Sequence, residues 1–311
     1  MELVRYHHNL QTRHKGCVIT IGNFDGVHAG HQAVIRQLQQ YARRTGLPAV
    51  VVTFEPQPLE FFAPAAAPPR LTSFREKMEW LSEHGIDRVV CLRFQKSLAE
   101  MPAHDFVERL LARDLGAKYI VVGDDFRFGK ARAGDFNLLL TLQAQYGYTV
   151  VETETLLADG QRVSSSRIRA ALAAGSFSDA EVLLGRSYSM SGRVIRGECR
   201  GRRLGYATAN LALKRNRSPL LGVFIVSVEG LGRVRAGVAN LGTRPVFSGK
   251  QVLLEVHILD FDEDIYGRHL HVNFHGKIRE ERKFATVPEL VAQIARDVAT
   301  ARGYFAARNR N

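Results

Sequence analysis

The feature that most constrains this chain is a change of rhythm part-way along it. In the first half, short apolar runs alternate with segments of helical period. The runs are Cys17–Gly22, Ala49–Glu55, Arg88–Phe94, Lys118–Asp124 and Thr149–Thr153. They are rich in Val and Ile and nearly continuous, as strands covered on both faces are. Between them, Val34, Ile35, Leu38, Tyr41 and Ala42 form one helical stripe, and Phe106, Val107, Leu110, Leu111 and Leu115 form another. Strand and helix in turn predict an α/β domain, a parallel sheet with helices on both faces. Ligands of such sheets bind where strands end and helices begin.

From Tyr188 onward the pattern is one of strands alone: Ser189–Arg196, Ala207–Leu213, Gly222–Glu229, Val234–Asn240, Gln251–Leu259 and His269–Phe274. Gly and Asn punctuate them, which predicts a small antiparallel β-barrel. One helical stripe closes the chain, from Val287 to Phe305 through Leu290, Val291, Ile294 and Val298, and is expected to pack on the barrel. The division predicts two domains, 1–184 and 185–311.

Composition narrows the function classes. The 311 residues are 45% hydrophobic and 24% charged, ordinary for globular domains, and carry a formal net charge of +12. That balance suits polyanionic partners. No long Lys/Arg tract is interleaved with aromatics, so nucleotide phosphates are expected rather than nucleic acid. The three cysteines, Cys17, Cys91 and Cys199, lack metal-ligand spacing and are an odd number, which excludes a disulfide framework or zinc site. The polar start has no signal core, and no stretch suits a membrane span, so a cytoplasmic protein with no membrane partner is expected, a monomer or weak homo-oligomer.

Three segments of the first half carry phosphate chemistry. The strand Val18–Ile21 runs into Gly22-Asn23-Phe24-Asp25-Gly26-Val27-His28-Ala29-Gly30-His31 and then a helix. The glycines permit sharp turns and close approach to a ligand. The helix start supplies unpaired N–H groups, a ready phosphate site. His28 and His31, three apart, share a helical face and can donate to phosphate oxygens as charge develops. Gly22, Phe24, Asp25 and Gly26 complete that loop. In the second segment, Ser164, Ser165, Ser166 and Arg169 stand at another helix start. Serines there serve as caps, but hydroxyls, amides and an arginine fork together suit nucleotide phosphates. The third segment, Gly123 to Lys130, has the wrong glycine spacing for a P-loop and Ala131 where a hydroxyl is required. Its Asp125, Phe126 and Phe128 stand at the same sheet edge, the phenylalanines either lining a flat pocket or belonging to the core.

In the second half, Gly201 and Gly205 flank a basic loop that enters a strand bearing Thr208 and Asn210 on one face. A hydroxyl beside an amide suits a magnesium ion held mostly by nucleotide phosphates, or simply braces a sheet. Glu255 sits within an apolar strand, Val252 to Leu259.

These segments resemble the bacterial bifunctional riboflavin kinase/FAD synthetases over nearly the whole chain. The likeness extends through Thr53-Phe54-Glu55-Pro56, Leu71-Thr72-Ser73, Lys77 and Leu183-Leu184-Gly185-Arg186. In the second half it takes in Gly-Arg-x-Leu-Gly-x-Pro-Thr-Ala-Asn, with Ala207 for the proline, and Gly237 to Pro245, Glu255 to Phe261, Asp264 to Gly267 and Arg279. Gln57 stands where the family often has His, and Ser166 where Thr is usual. The resemblance implies a nucleotidyltransferase-like Rossmann domain that transfers AMP from ATP to FMN, giving FAD and pyrophosphate. It also implies a barrel that phosphorylates riboflavin to FMN with Mg2+ and ATP. It implies that His28 and His31 stabilise ATP phosphates and that Ser164, Ser165 and Arg169 hold the pyrophosphate portion. In the barrel, Gly201 and Gly205 lie at the phosphates, Thr208 and Asn210 ligate magnesium, and Glu255 is the general base. Phe126, Phe128 and Arg279 are implied at the flavin, and Asp125 near the flavin or ATP. Both nucleotide-gripping clusters are expected to face a cavity, the second inside the barrel.

Overall fold

The computed structural model describes residues 1–197, 204–213, 215, 217–246 and 249–308. They form two compact units. The first comprises Met1–Pro68 and Lys77–Ser164. The second comprises Pro69–Glu76 and the chain from Ser165 onward.

The first unit is built on six strands: β1 (Glu2–Arg5), β2 (Cys17–Ile21), β3 (Ala49–Glu55), β4 (Arg88–Arg93), β5 (Ala117–Gly123) and β6 (Thr149–Thr153). Their order is β1-β4-β3-β2-β5-β6, and every pairing is parallel. The apolar runs are continuous because both faces are covered. Ile19, Val50, Val90 and Ile120 pack on one side against Phe106, Val107, Leu110 and Leu111. Val18, Val51, Val89 and Val121 pack on the other against Ile35, Leu38 and Leu81. The strand order reverses between β2 and β5, so the crevice at their C-terminal ends is the topological switch point. β1 was not expected from the sequence. Only Val4 of its four residues is buried, so it carries no apolar signature, and its ladder with β4 defines it.

After a two-stranded ribbon, β7 (Leu157–Ala158) and β8 (Gln161–Arg162), the second unit holds β9 (Tyr188–Ile195), β10 (Ala209–Ala212), β11 (Gly222–Glu229), β12 (Arg235–Val246), β13 (Gly249–Ile258) and β14 (His269–Arg279). They close into a barrel in the order β10-β13-β12-β11-β14-β9, antiparallel throughout. Leu211, Leu254, Leu241, Ala239, Phe224 and Val226 are buried to the last atom and alternate with residues facing outward. On the outer face Val223, Ile225 and Val238 meet Ala301, Val298 and Phe305 of the terminal helix, Val287–Arg308. β14 continues past the expected end at Phe274 to Arg279, with register shifts against β11.

The strap Pro69–Glu76 joins this unit through a buried polar network. Glu76 pairs with Arg215 and accepts bonds from the Ser191 backbone N–H (2.7 Å) and hydroxyl (3.3 Å). Arg215 also donates to the Leu71 carbonyl and Tyr188 hydroxyl, both at 3.3 Å. No helix among the described residues is long and apolar enough to cross a membrane.

Candidate functional site

In the barrel, register rather than sequence proximity assembles the site. Asn210 of β10 stands opposite Glu255 of β13, which stands opposite Asn240 of β12. Asn240 is paired in turn with Val223 of β11, and Val223 with Arg279 of β14. Directly opposed residues on one face have Cβ atoms roughly 5 Å apart. The result is a row across five strands, polar at every position but Val223, and all five residues line one pocket of about 310 Å3 with Thr208, Tyr206, His257 and Phe284. Because Leu211, Leu254 and Leu241 face the interior, this row lies on the outer face, roofed by Leu290, Ile294 and Asp297 of the terminal helix. The expectation of a site inside the barrel is corrected accordingly: the interior is filled by side chains, as small barrels require.

Local features hold the row in shape. Asn210 is 9% exposed, and a Cβ on Gly197 would collide with its amide, so a larger residue there would push that amide out of place. The His257 Nδ1–H donates to the Ala207 carbonyl at 2.8 Å, since a carbonyl can only accept. That bond tethers the entry to β10, where Ala207 lacks the ring by which a proline would fix the backbone. Arg279 is gripped by Asp297, with Nη2 to Oδ2 at 2.8 Å and Nε to both oxygens at 3.0 and 3.1 Å. Gln293 donates to the same carboxylate at 2.8 Å. β14 is thereby fastened to the terminal helix.

In the first unit, the chain leaving β2 passes through positive φ at Phe24 (48°), Gly26 (86°) and Val27 (39°) before helix α1 (Ala29–Thr45). Such angles are costly for Phe and Val and mark a held loop. Phe24 and Val27 are buried, and Asp25 is only 3% exposed. His28 is the N-cap of α1, and its Nδ1 accepts from the His31 backbone N–H at 3.3 Å. An accepting Nδ1 places the ring proton of neutral His28 on Nε2. The two imidazoles stack at 3.6 Å between centroids, and Phe24 lies 4.8 Å from His31. A Cβ on Gly30 would be 3.2 Å from the His28 ring and 3.6 Å from the Val163 carbonyl, so the segment leading to Ser164 runs past the start of α1.

Two family models match the chain: FAD synthetase over residues 10–167 and riboflavin kinase over 184–305. The bifunctional riboflavin kinase/FMN adenylyltransferase of Escherichia coli is 50% identical over 307 residues, 98% of each chain. The protein of that name from Pseudomonas fluorescens is likewise 50% identical over 98% of each. The chain belongs to the bifunctional riboflavin kinase/FMN adenylyltransferase family. A solved Streptococcus pneumoniae structure described as a macrolide-efflux protein shares the fold, with 30% identity, a TM-score of 0.81, and 97% and 99% of the two chains covered.

With the family in hand, the remaining expected residues can be placed. Ser165 opens the helix Ser165–Ala173 in the second unit, and Arg169 on that helix donates from Nε to the Pro69 carbonyl at 2.7 Å. Asp125 forms a bidentate pair with Arg162, one bond at 2.8 Å, which pushes the Arg162 guanidinium pKa up. Gly22 ends β2, with its N–H on the Val52 carbonyl at 3.0 Å. Gly205 has φ of +82°, in a turn before Thr208. Gly201 lies outside the described residues. Phe128 is buried in the core with Phe106, 5.4 Å away, while Phe126 stacks on it half-buried, so the two open readings are divided between the rings.

Sequence reasoning missed two groups. Asn240 lies in the Gly237–Pro245 match but was given no role there, and the pairing with Glu255 brings it to the site. Phe54, Phe61, Phe62 and Phe94 form an aromatic cluster where β3 and β4 end, with centroids 5.4 to 5.8 Å apart. Phe62 is 64% exposed, unusual for that side chain. The sequence signal was the run Phe61-Phe62 beside Pro56 and Pro58.

Proposed function

We propose that the barrel groove phosphorylates riboflavin to FMN and that the β2–α1 turn transfers AMP from ATP to FMN, giving FAD and pyrophosphate. The observation that carries the reading is the polar row Asn210–Glu255–Asn240 beside Thr208 in one pocket. In the kinase step, Glu255 takes the proton of the terminal ribityl hydroxyl as that oxygen attacks the γ-phosphorus of ATP, and ADP leaves. The transition state is loose, so placement matters more than proton removal. Thr208 and Asn210 would hold Mg2+. Their neutral oxygens beside one carboxylate, Glu255, suit a hard cation that takes its other ligands from nucleotide phosphates and water rather than from an all-protein cage. When bound, the ion neutralises charge on the transferred group. Gly205 keeps backbone close to the phosphates, and Arg279 stands at the flavin end of the row.

In the adenylyl step an FMN phosphate oxygen attacks the α-phosphorus of ATP and pyrophosphate departs, with no covalent enzyme intermediate. The His28 Nε2–H, the His31 ring and the positive end of α1 stabilise the oxygens on which charge grows. Gly22, Phe24, Asp25 and Gly26 shape the loop against the phosphates. Ser164, Ser165 and Arg169 hold pyrophosphate oxygens. Asp125 and Phe126, with the exposed Phe62, serve the flavin, while Phe128 belongs to the core behind Phe126. The substrates are small molecules, riboflavin, FMN and ATP, and the setting is the cytoplasm.

The test is incubation of the full chain with riboflavin and Mg-ATP, followed by separation of flavins. FMN followed by FAD is expected. Riboflavin unchanged throughout overturns the reading, and FMN without FAD overturns its N-terminal half.

A further inference from the structure

A second cavity, of about 370 Å3, lies in the first unit, and none of the residues from Gly22 to His31 or from Gly123 to Phe128 lines it. Its floor is apolar, with Leu92 and Leu110 buried and Leu98 beside them. Its rim carries Arg93, Arg109 and Arg113 against a single carboxylate, Asp114. Arg109 and Arg113 are partly compensated by Asp105 (3.1 Å) and Asp114 (3.0 Å). Arg93 has no ion-pair partner among the described residues, and it is exposed.

Two backbone features converge on this cavity. Tyr6 is held at φ 66° and ψ 144°, a conformation that a bulky side chain adopts only under constraint. Its ring stacks with His8 at 5.6 Å and 26°, and both line the cavity. The wall opposite is a helix wound as π over Phe106–Asp114, closed by the Leu115 N–H on the Leu110 carbonyl at 3.0 Å. Such widened turns are frequent at functional sites, and strained backbone clusters there too. An apolar floor, an aromatic face and arginine forks at the rim together select a ligand with a flat apolar body and one phosphate.

We propose that this cavity binds an aromatic phosphate monoester, independently of the catalytic reading given above. The probe is 1-naphthyl phosphate, titrated by fluorescence into the full chain. One saturable site is expected, weakened by raising salt from about 0.05 to about 0.5 M. Arg93→Glu and Arg113→Glu should each weaken it about tenfold or more. Both substitutions should leave the rates of FMN and FAD formation unchanged, and circular dichroism should show the fold intact. Arg93→Gln, which keeps a polar side chain, should give a smaller loss. His28→Asn should leave the naphthyl phosphate affinity as it was. Absence of saturable binding overturns the proposal. So does an affinity indifferent to the two charge reversals, or one lost with His28→Asn, which would place the probe at the adenylyl-transfer turn.

Discussion

The β2–α1 turn and the barrel groove, the two sites proposed to handle phosphate, are built in two different ways. The turn is local: every group from Gly22 to His31 lies within ten residues, and the geometry follows from a strand that must become a helix. The groove is non-local: Asn210, Asn240, Glu255 and Arg279 come from four strands and meet only through hydrogen-bond register. A local site survives small shifts of the sheet around it. A register-built site does not, because a slip of one residue turns every side chain to the other face. The barrel therefore needs devices the turn lacks, and the structure supplies them in the Gly197–Asn210 contact, the His257–Ala207 tether and the Arg279–Asp297 clamp.

The sharpest way to separate the two sites is Asn210→Ala. It should lower riboflavin phosphorylation about a thousandfold, at least as much as Glu255→Gln, and leave adenylyl transfer to supplied FMN intact. Flavin chromatography from each starting flavin reads both. A dead Glu255→Gln enzyme beside a fully active Asn210→Ala one would reverse the ranking of placement over base catalysis. The mirror experiment is His28→Ala, expected to slow FAD formation about a hundredfold with the kinase untouched.

Asp297→Ala tests the clamp. It strands the Arg279 guanidinium, whose side chain is only 20% exposed, so urea unfolding of the barrel should show a loss of about 3 kcal/mol. A rise in KM for riboflavin should accompany it. Asn240→Ala, at a position brought to Glu255 by register, should slow the kinase about tenfold, read as a kcat change at unaltered stability.

The smallest expected effect is one of pH. Burial, with Arg308 nearby, holds the His275 pKa below its ordinary 6.5, while the ring hydrogen-bonds Ser227 at 2.8 Å and packs on Tyr304 and Phe305. Below pH 6.5 the unfolded chain takes up a proton that the folded one resists. Stability should therefore be full above that value and decline as pH falls, by less than about 1.4 kcal/mol per pH unit. Denaturation at about pH 7.5 and about 5.5 reads the slope, and His275→Gln should flatten it.

Much of this was legible from residue order. The five apolar runs became β2 to β6, and the strand-rich half became the barrel, because periodicity and burial are coupled along a chain. The His pair and the Thr208–Asn210 spacing stood out because their chemistry is carried by neighbours in sequence. Other features were hidden for physical reasons. β1 is only four residues long and buries Val4 alone, and the Phe61–Phe62 pair reads as core by composition although it stands at the surface.

The sequence by itself determined the two architectures and the glycine- and histidine-bearing β2–α1 turn, since both arise from local periodicity and from residues a few bonds apart. Only the tertiary structure decided that Asn240 joins Glu255, that Asp297 holds Arg279, that the groove lies outside the barrel beneath the terminal helix, and that Pro69–Glu76 packs with the second unit. Those facts depend on strand register and on contacts between residues far apart in the chain, and no pattern confined to neighbouring positions encodes them.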